Sequence, residues 1–403
     1  MINNKSYLSI ILLIAVLTSA IRASACTSVI VSGRITKDGR PMLFKNRDTS
    51  NQNNVAVLVK GSIYRYIAIV AASDVNCESV WGGHNETGFA IINTAAYNLN
   101  GCEGKDSNGD GELMKKALET CCTLKDFEKL LNELPKPMDL NSNFGVMDAE
   151  GGCAYYETNN EKYIKFDVND PKTAPDGYLM RTNFGMTGCR DIDRGVERYM
   201  AISDFMNDAK KKDLIDMEYL LTAAPRYLTH GLTKINLYDL MPNSLQDTKM
   251  FPFLDFIPRW STSSVILVQG VAEGESPLHT VSWINIGWPL ASISIPLVIT
   301  DQDLLPSIVG RGEDGSSWLC QKAMEQKHRV FSAKTGNTHD YIDISKLINH
   351  EGTGILQHIL PIEQVVIKRG KQAITWMRRH KKNNTSRIND YYNWVDHYVK
   401  QHY

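Results

Sequence analysis

The sequence predicts a layered α+β fold built from antiparallel sheets. Strand-like segments with many β-branched residues occur at both ends of residues 26–300, and helical patterns lie between them. Strands and helices do not alternate regularly, as they would in a doubly wound parallel sheet. The chain has 403 residues, of which 43% are hydrophobic and 22% charged, so we expect a sizeable core.

The predicted elements follow from periodicity and turn residues. Strands are expected over residues 26–32, 41–45, 55–60, 62–71, 89–94, 144–148, 153–158, 178–183, 264–269, 280–286 and 293–299. Helices are expected over residues 112–120, 124–134, 194–206 and about 214–223, and most of residues 302–403 also has a helical pattern. The first two strands form a hairpin around the turn at Lys37–Arg40.

Residues 1–25 are typical of a secretory signal peptide. Lys5 precedes an apolar run over residues 8–17, and Ala23-Ser-Ala25 is a small-residue cleavage site. We therefore expect an exported protein, periplasmic or secreted, with a main domain over residues 26–300 and a C-terminal extension over 301–403. Cleavage after Ala25 would leave Cys26 with both a thiol and a free α-amine, which is a nucleophile with its own base.

Cys26 has two other interpretations. It could be a structural or disulfide-bonded residue, or it could be the acylated cysteine of a lipid-anchored binding protein. Ala23 stands where lipoproteins usually carry a large aliphatic residue, which favours simple cleavage. The chain has eight cysteines, and Cys77–Cys102 is one possible bridge, although spacing does not fix the pairing.

Composition excludes several classes of partner. A formal net charge of -1 argues against nucleic acid or an anionic membrane surface. No apolar run after residue 25 approaches the ~20 residues of a membrane span, so no integral membrane segment is expected after signal removal. No CxxC pair is present, and the Asp106–Glu112 segment lacks the twelfth-position ligand of a calcium loop, so we predict no metal site and no cofactor. Nothing in the sequence indicates the oligomeric state.

Several polar residues are candidates for chemistry beside Cys26. The hairpin returns the segment Lys45-Asn-Arg47-Asp48 towards the strand that starts at Cys26. A carboxylate there can hold an α-ammonium group, and a cation can favour a thiolate. Asn85 and Asn183 carry amides that can donate to an oxyanion, although single asparagines are commonly turn or cap residues.

Taken in order, these motifs resemble the cysteine N-terminal-nucleophile (Ntn) hydrolases. This superfamily contains choloylglycine hydrolases, penicillin V acylases and acid ceramidase-like amidases. The segments Asp38–Thr49 (DGRPMLFKNRDT) and Trp81–Leu99 (WGGHNETGFAIINTAAYNL), with residues 265–296, are most similar to its isopenicillin-N acyltransferase-like and carcinine hydrolase-like branch. The resemblance covers about residues 26–300 and implies a four-layer αββα sandwich with two antiparallel sheets. The helical pattern of residues 301–403 predicts a mostly helical extension packed on the core.

The resemblance also implies the roles of individual residues. Cys26 would attack the carbonyl of a linear, non-peptidic amide and form a thioester, and its α-amine would carry the proton. Asp48 would orient that amine, and Asn85 and Asn183 would stabilise the oxyanion. The basic residues of the site would be Lys45 or Arg47, together with Arg198 or the less favoured Arg194. The substrate would be a small N-acyl amide, and transfer of the acyl group to an amine instead of water is the alternative reaction.

Overall fold

Two antiparallel sheets form the centre of the molecule. The computed structural model describes residues 25–104, 107, 109–191, 194–334, 336–380 and 385–403, so the predicted signal peptide lies outside the described residues except for Ala25. Within these ranges the strands are β1 (Cys26–Val31), β2 (Met42–Asp48), β3 (Asn54–Lys60), β4 (Arg65–Ala71), β5 (Gly83–Asn85), β6 (Ala90–Ala95), β7 (Ser142–Met147), β8 (Cys153–Thr158), β9 (Tyr163–Asp167), β10 (Tyr178–Arg181), β11 (Met250–Pro252), β12 (Thr262–Gln269), β13 (Val281–Ile286), β14 (Ser294–Leu297) and β15 (Tyr341–Asp343). One six-stranded sheet has the order β10-β1-β2-β12-β13-β14, and a seven-stranded sheet runs in sequence from β3 to β9.

Helices cover the outer faces of both sheets. The α-helices of the described residues are α1 (Asp110–Thr120), α2 (Leu124–Glu133), α3 (Val196–Lys211), α4 (Met217–Ala223), α5 (Trp318–Val330), α6 (Ile344–Leu347), α7 (Ile355–Arg379) and α8 (Ser386–His402). Helices α1 and α2 pack on the seven-stranded sheet, whereas α3, α4, α5 and α7 pack on the six-stranded sheet. The inner faces of the two sheets contact each other. The prediction of a four-layer α+β sandwich with two antiparallel sheets is therefore confirmed.

Strands β1, β2 and β12 lie in the middle of the six-stranded sheet, and all their residues are buried. About half are apolar, and β2 ends with the polar run Lys45-Asn-Arg47-Asp48. A charged side chain loses its hydration when it is buried, so it is retained only where partners compensate. Four consecutive buried polar residues therefore mark this end of the sheet as a site.

The structure differs from the predicted elements in several places. β2 continues to Asp48 instead of ending at Lys45, and β5, β9 and the β11–β15 pair were not predicted. β5 has only three residues, and a Cβ at Gly83 would lie 2.0 Å from the carbonyl oxygen of Ile67. This close approach of neighbouring strands, not the local pattern, makes β5 a strand. The disulfide also differs from the suggested Cys77–Cys102 bridge: Cys102 pairs with Cys189, and Cys77 is free.

The C-terminal extension packs on the main domain through apolar side chains of α5, α7 and α8. None of the helices in the described residues is long and apolar enough to cross a membrane. One buried ion pair crosses this interface: Arg226 contacts Glu363 of α7 at 2.7 Å, and their side chains are 4% and 2% exposed. Glu363 also accepts a hydrogen bond from the backbone N–H of Ser294 on β14. Glu363 therefore links the extension to the edge of the sheet.

Replacing Glu363 with Ala is expected to lower the free energy of unfolding by about 3–5 kcal/mol, because Arg226 would stay buried without its partner. The matched control is Glu218→Ala, which removes the half-exposed pair that Lys371 of the same helix makes with α4. Glu218→Ala should lower the free energy of unfolding by no more than about 1 kcal/mol. Urea unfolding of both variants measures the difference. Equal losses would contradict the structural importance of the buried pair.

Candidate active site

Cys26 is the first residue of β1, which lies between β10 and β2, and it is only 6% exposed. Its backbone N–H donates a hydrogen bond of 2.9 Å to the side-chain oxygen Oδ1 of Asn183. Arg47 lies directly opposite Cys26 in the antiparallel pairing of β1 with β2. Two of the residues predicted to lie around Cys26, Asn183 and Arg47, therefore approach it from its two neighbouring strands.

Asn183 is fully buried just after β10, and its side-chain amide has partners at both ends. Oδ1 accepts from Cys26 and from Nη2 of Arg198 at 2.7 Å, whereas Nδ2 donates to the backbone oxygen of Ala95 at 2.8 Å. Two donors on one side and an acceptor on the other fix the orientation of the amide. In this arrangement Asn183 holds the nitrogen of Cys26, and its N–H₂ group faces Ala95.

Arg198, on α3, is the arginine that contacts Cys26. Its Nη1 donates to the backbone oxygen of Cys26 at 2.6 Å and to Oγ1 of Thr27 at 3.2 Å. Burial and the neighbouring positive charge of Arg259 together lower the pKa of its guanidinium to about 10. Arg194 instead lies over the ring of Tyr97, 4.6 Å from the ring centre. The structure thus separates two arginines that the sequence left as alternatives.

Gly195 allows Arg198 to take this position. Its φ of +83° is in the left-handed region, and a Cβ there would lie 2.2 Å from Nη2 of Arg198. We expect Gly195→Ala to displace the guanidinium and to cost about 1–3 kcal/mol in backbone strain as well. Gly315→Ala is the matched control, because Gly315 has a φ of +82° with nothing near its Cβ position. Unfolding free energies should fall in both variants, and only Gly195→Ala should lower the activity proposed below.

Residues directly opposite each other in paired strands project from the same face of the sheet, so Arg47 lies on the same face as Cys26. Lys45 is on that face as well, because side chains alternate along a strand. Nζ of Lys45 donates to the backbone oxygen of Trp81 at 2.8 Å and to Oδ1 of Asn93 at 2.6 Å. Arg47 donates to Oδ1 of Asn54 at 2.7 Å, and its guanidinium lies 4.6 Å from the centre of the Trp81 ring. Both cations therefore sit beside the thiol, between the two sheets.

Burial lowers the pKa values of both cations. The pKa of Lys45 falls to about 8 and that of Arg47 to about 10, while the charge of the Cys26 thiolate opposes both shifts. Arg198 and Arg259 also interact electrostatically with that thiolate. Cys26 is therefore surrounded by cations whose burial makes a nearby negative charge favourable.

Asp48 projects from the opposite face of β2 and is 1% exposed. Its Oδ2 accepts from Nε of Arg259 at 2.7 Å, and its Oδ1 accepts from Oγ1 of Thr262 at 2.6 Å. Arg259 and Thr262 were not among the predicted site residues. They reach Asp48 because β12 pairs with β2, a contact between segments more than 200 residues apart that spacing in the sequence does not reveal.

Asn85 is not brought into this group. It ends β5 on the side of the seven-stranded sheet that faces α1, and its Nδ2 donates to the backbone oxygens of Leu118 and Cys121. Its Oδ1 accepts from the N–H groups of Thr87 and Phe89 and so closes the turn after β5. The contacts of this side chain are those of a structural residue, and they lie in the layer on the far side of the sheet from Cys26.

A cavity of about 460 Å³ is lined by residues that contact Cys26, although Cys26 itself does not line it. The lining includes Ala25, Asn183 and Arg198, and also Arg259 and His339 of the C-terminal extension. Ala25, the residue before Cys26, is 6% exposed and forms part of the cavity wall. Removal of that residue would connect the cavity with the nitrogen of Cys26.

One cluster of potential metal ligands occurs among the described residues: Cys102, Cys189 and Asp191. Its two cysteines are joined in the disulfide, so they offer no thiolate to a metal. The disulfide instead ties the segment after β6 to the segment after β10, which carries Asn183. The Nδ2 group of Asn98 adds hydrogen bonds to the backbone oxygens of Gly185 and Cys189.

Comparison with solved structures finds distant similarity. A variant of the conjugated bile acid hydrolase from Clostridium perfringens is 12% identical, with 68% of this chain and 92% of that chain covered and a TM-score of 0.39. An N-acylethanolamine-hydrolyzing acid amidase ortholog from Caenorhabditis elegans is 16% identical over 51% and 89% of the two chains, with a TM-score of 0.35. A penicillin V acylase from Agrobacterium tumefaciens is 10% identical over 68% and 86%, with a TM-score of 0.33. No family model and no curated protein matches the chain.

Proposed function

We propose that this protein is an exported amide hydrolase whose nucleophile is Cys26, freed by removal of residues 1–25. The observation that carries the proposal is the hydrogen bond from the Cys26 nitrogen to Oδ1 of Asn183, a residue that lines a cavity together with Ala25. Cleavage after Ala25 would convert this peptide N–H into an α-amine that is already held in place. An α-amine has an unperturbed pKa of roughly 7.7–8.0, which suits proton transfer in both directions near neutral pH.

In the first half of the reaction, Sγ of Cys26 forms a bond to the carbonyl carbon of the amide. The thiol proton moves to the α-amine, and the electron pair of the carbonyl bond moves onto its oxygen. When the tetrahedral intermediate collapses, the C–N bond breaks, and the leaving nitrogen takes the proton from the α-ammonium group. The products are a free amine and a thioester on Cys26.

In the second half, water attacks the thioester while the α-amine accepts a proton from it. The C–S bond then breaks, and the proton returns to sulfur. The overall change is an amide plus water giving a carboxylic acid and an amine. Asn183 keeps the α-amine in position through both halves, because the Oδ1 that holds it is also fixed by Arg198.

The charged residues around Cys26 have separate tasks in this mechanism. Lys45 and Arg47 lie on the face of β2 that is shared with the Cys26 side chain, where their positive charges can stabilise negative charge that develops during the reaction. Asp48 lies on the other side, where it neutralises Arg259 and fixes the start of β12. Arg198 holds the backbone oxygen of Cys26, so that rotation of the first residue is restricted after cleavage.

The test uses protein expressed with its own residues 1–25. Intact-mass measurement should give a mature chain that starts at Cys26 without a lipid adduct. Incubation with a panel of N-acyl amides should release free amine, and quenching in acid should trap an acyl group on the N-terminal peptide. Active protein that retains residues 1–25, a diacylglyceryl adduct on Cys26, or an acyl group trapped elsewhere would each contradict the proposal.

A further inference from the structure

The C-terminal extension reaches the cavity beside Cys26. Strand β15 pairs with β11, and the backbone N–H of Phe253 donates to the oxygen of Asp340 at 2.7 Å. This pairing carries His339 and Asp340 to the cavity, which both residues line together with Asn183 and Arg198. A segment about 150 residues after Asn183 in the sequence thus lines the same cavity as the two residues that hold Cys26.

Two residues of the extension enclose Trp260, which also lines the cavity. The ring of His339 stacks on the indole ring with 3.8 Å between the ring centres and 7° between their planes. Nζ of Lys327, on α5, lies 4.1 Å from the centre of the same ring. Both groups cannot occupy one face at these distances, so they lie on opposite faces of the indole. Both faces of the Trp260 ring are therefore in contact with residues of the C-terminal extension.

Lys327 is fully buried, and none of the described residues forms an ion pair with it. Its ammonium group donates to the backbone oxygen of Trp260 and to Oε1 of Gln52, whose Nε2 also donates to that backbone oxygen at 3.1 Å. Burial lowers the pKa of Lys327 to about 7. Hydrogen bonds to Trp260 and Gln52, and not an ion pair, therefore fix this buried amine in place.

The backbone that Lys327 holds is the one that supports Asp48. Trp260 lies between Arg259 and Thr262, and both of these donate to the Asp48 carboxylate. The neighbouring oxygen of Ser261 accepts from the backbone N–H of Thr49. Movement of Trp260 would therefore change the cavity wall and the contacts of Asp48 together.

We propose that His339 and Asp340, here called the extension wall, together with Lys327 behind Trp260, select the substrate of Cys26 according to the size of the group that enters the cavity. His339 and Asp340 are the residues that contact this group, and Lys327 is a positioning residue that acts through Trp260. This inference rests on the proposed amide hydrolysis at Cys26. The ligand class is an N-acyl amide in which the group on one side of the scissile bond fills the space between the extension wall and Arg198.

The experiment compares kcat/KM for two homologous series of amides, one varied in the acyl part and one in the amine part. His339→Ala enlarges the cavity, so we expect it to shift the preference towards the larger members of one series by at least about 10-fold, while the other series stays unchanged. Lys327→Met should reduce the differences in kcat/KM between small and large members of the same series by a similar factor. Met cannot donate to the backbone oxygen of Trp260 or to Oε1 of Gln52, so we also expect some loss of stability, which urea unfolding measures separately from the preference.

Lys322→Met is the matched control for Lys327→Met, because Lys322 lies on the same helix and makes only a partly exposed pair with Glu325. The control should keep the wild-type preference. Acyl trapping on Cys26 is measured in every variant. If wild-type Cys26 takes up no acyl group, the proposed function fails; if it does, but His339→Ala and Lys327→Met keep the wild-type preference in both series, only the extension wall is overturned.

Discussion

Cys26→Ala is expected to lower kcat for amide hydrolysis by about 10⁴- to 10⁶-fold, because the thiol that forms the covalent bond is removed. The α-amine would remain after cleavage, held by Asn183, but a base without a nucleophile only activates water. The residual rate should then come from substrate binding in the cavity alone. Steady-state kinetics on purified, processed protein measure the effect, and intact mass confirms that residues 1–25 have been removed.

The matched control for this substitution is Cys153→Ala. Cys153 is another buried, free cysteine, and it lies on β8 in the other sheet. Its substitution should leave kcat within a few-fold of the wild-type value. The comparison therefore shows whether the loss in Cys26→Ala comes from removing the nucleophile or from removing any buried thiol. Cys26→Ser should retain a small activity, because its hydroxyl keeps the geometry and is a weaker nucleophile. Full activity in processed Cys26→Ala protein would exclude the proposed function.

Asn183→Ala is expected to lower kcat by about 10²- to 10⁴-fold, the range over which positioned general bases contribute to catalysis. The substitution removes the acceptor that holds the nitrogen of Cys26, and it also deprives Arg198 of one partner. The α-amine of the processed enzyme would then be free to rotate away from the thiol. Because the amine acts in both halves of the reaction, formation and breakdown of the acyl-enzyme should both slow, which single-turnover measurements can resolve.

Asn143→Ala controls for the structural part of this loss. Asn143 is also fully buried, and its Nδ2 donates to Oγ1 of Thr94 and to the backbone oxygens of Thr182 and Phe184, on either side of Asn183. It makes no hydrogen bond to Cys26 in the described residues. Both variants should lose stability, but kcat of Asn143→Ala should fall by less than about 10-fold. Equal kinetic losses would show that Asn183 acts only as a structural residue.

The order of strands and helices could be predicted from the sequence because each element carries its own periodicity. The apolar runs of β1, β7, β8, β12 and β13 and the capped helix α2 were all recognisable locally. Short strands such as β5 were missed because three residues have no periodicity of their own. The link between Cys26 and the β2 segment was also local, since a hairpin returns its second strand beside the first.

The remaining features of the site depend on contacts between distant segments. Asn85 and Asn183 were equivalent as sequence motifs, but only Asn183 lies at the edge of β1, and the amide of Asn85 is used by α1 and the turn after β5. The contact of Arg198 with Cys26 depends on the packing of α3 beside β1, whereas Arg194 precedes this helix and lies over the ring of Tyr97. No local pattern indicates Arg259, because β12 and β2 are adjacent only in the folded sheet.

The sequence by itself determined the layered antiparallel fold and a cysteine that a leader cleavage would turn into a nucleophile, since periodicity and short motifs depend on neighbouring residues. Tertiary structure alone decided which polar groups meet that cysteine. It also brought residues of the C-terminal extension to the cavity. The physical reason is that hydrogen bonds and ion pairs form over about 3 Å in space, whatever the separation of the partners along the chain.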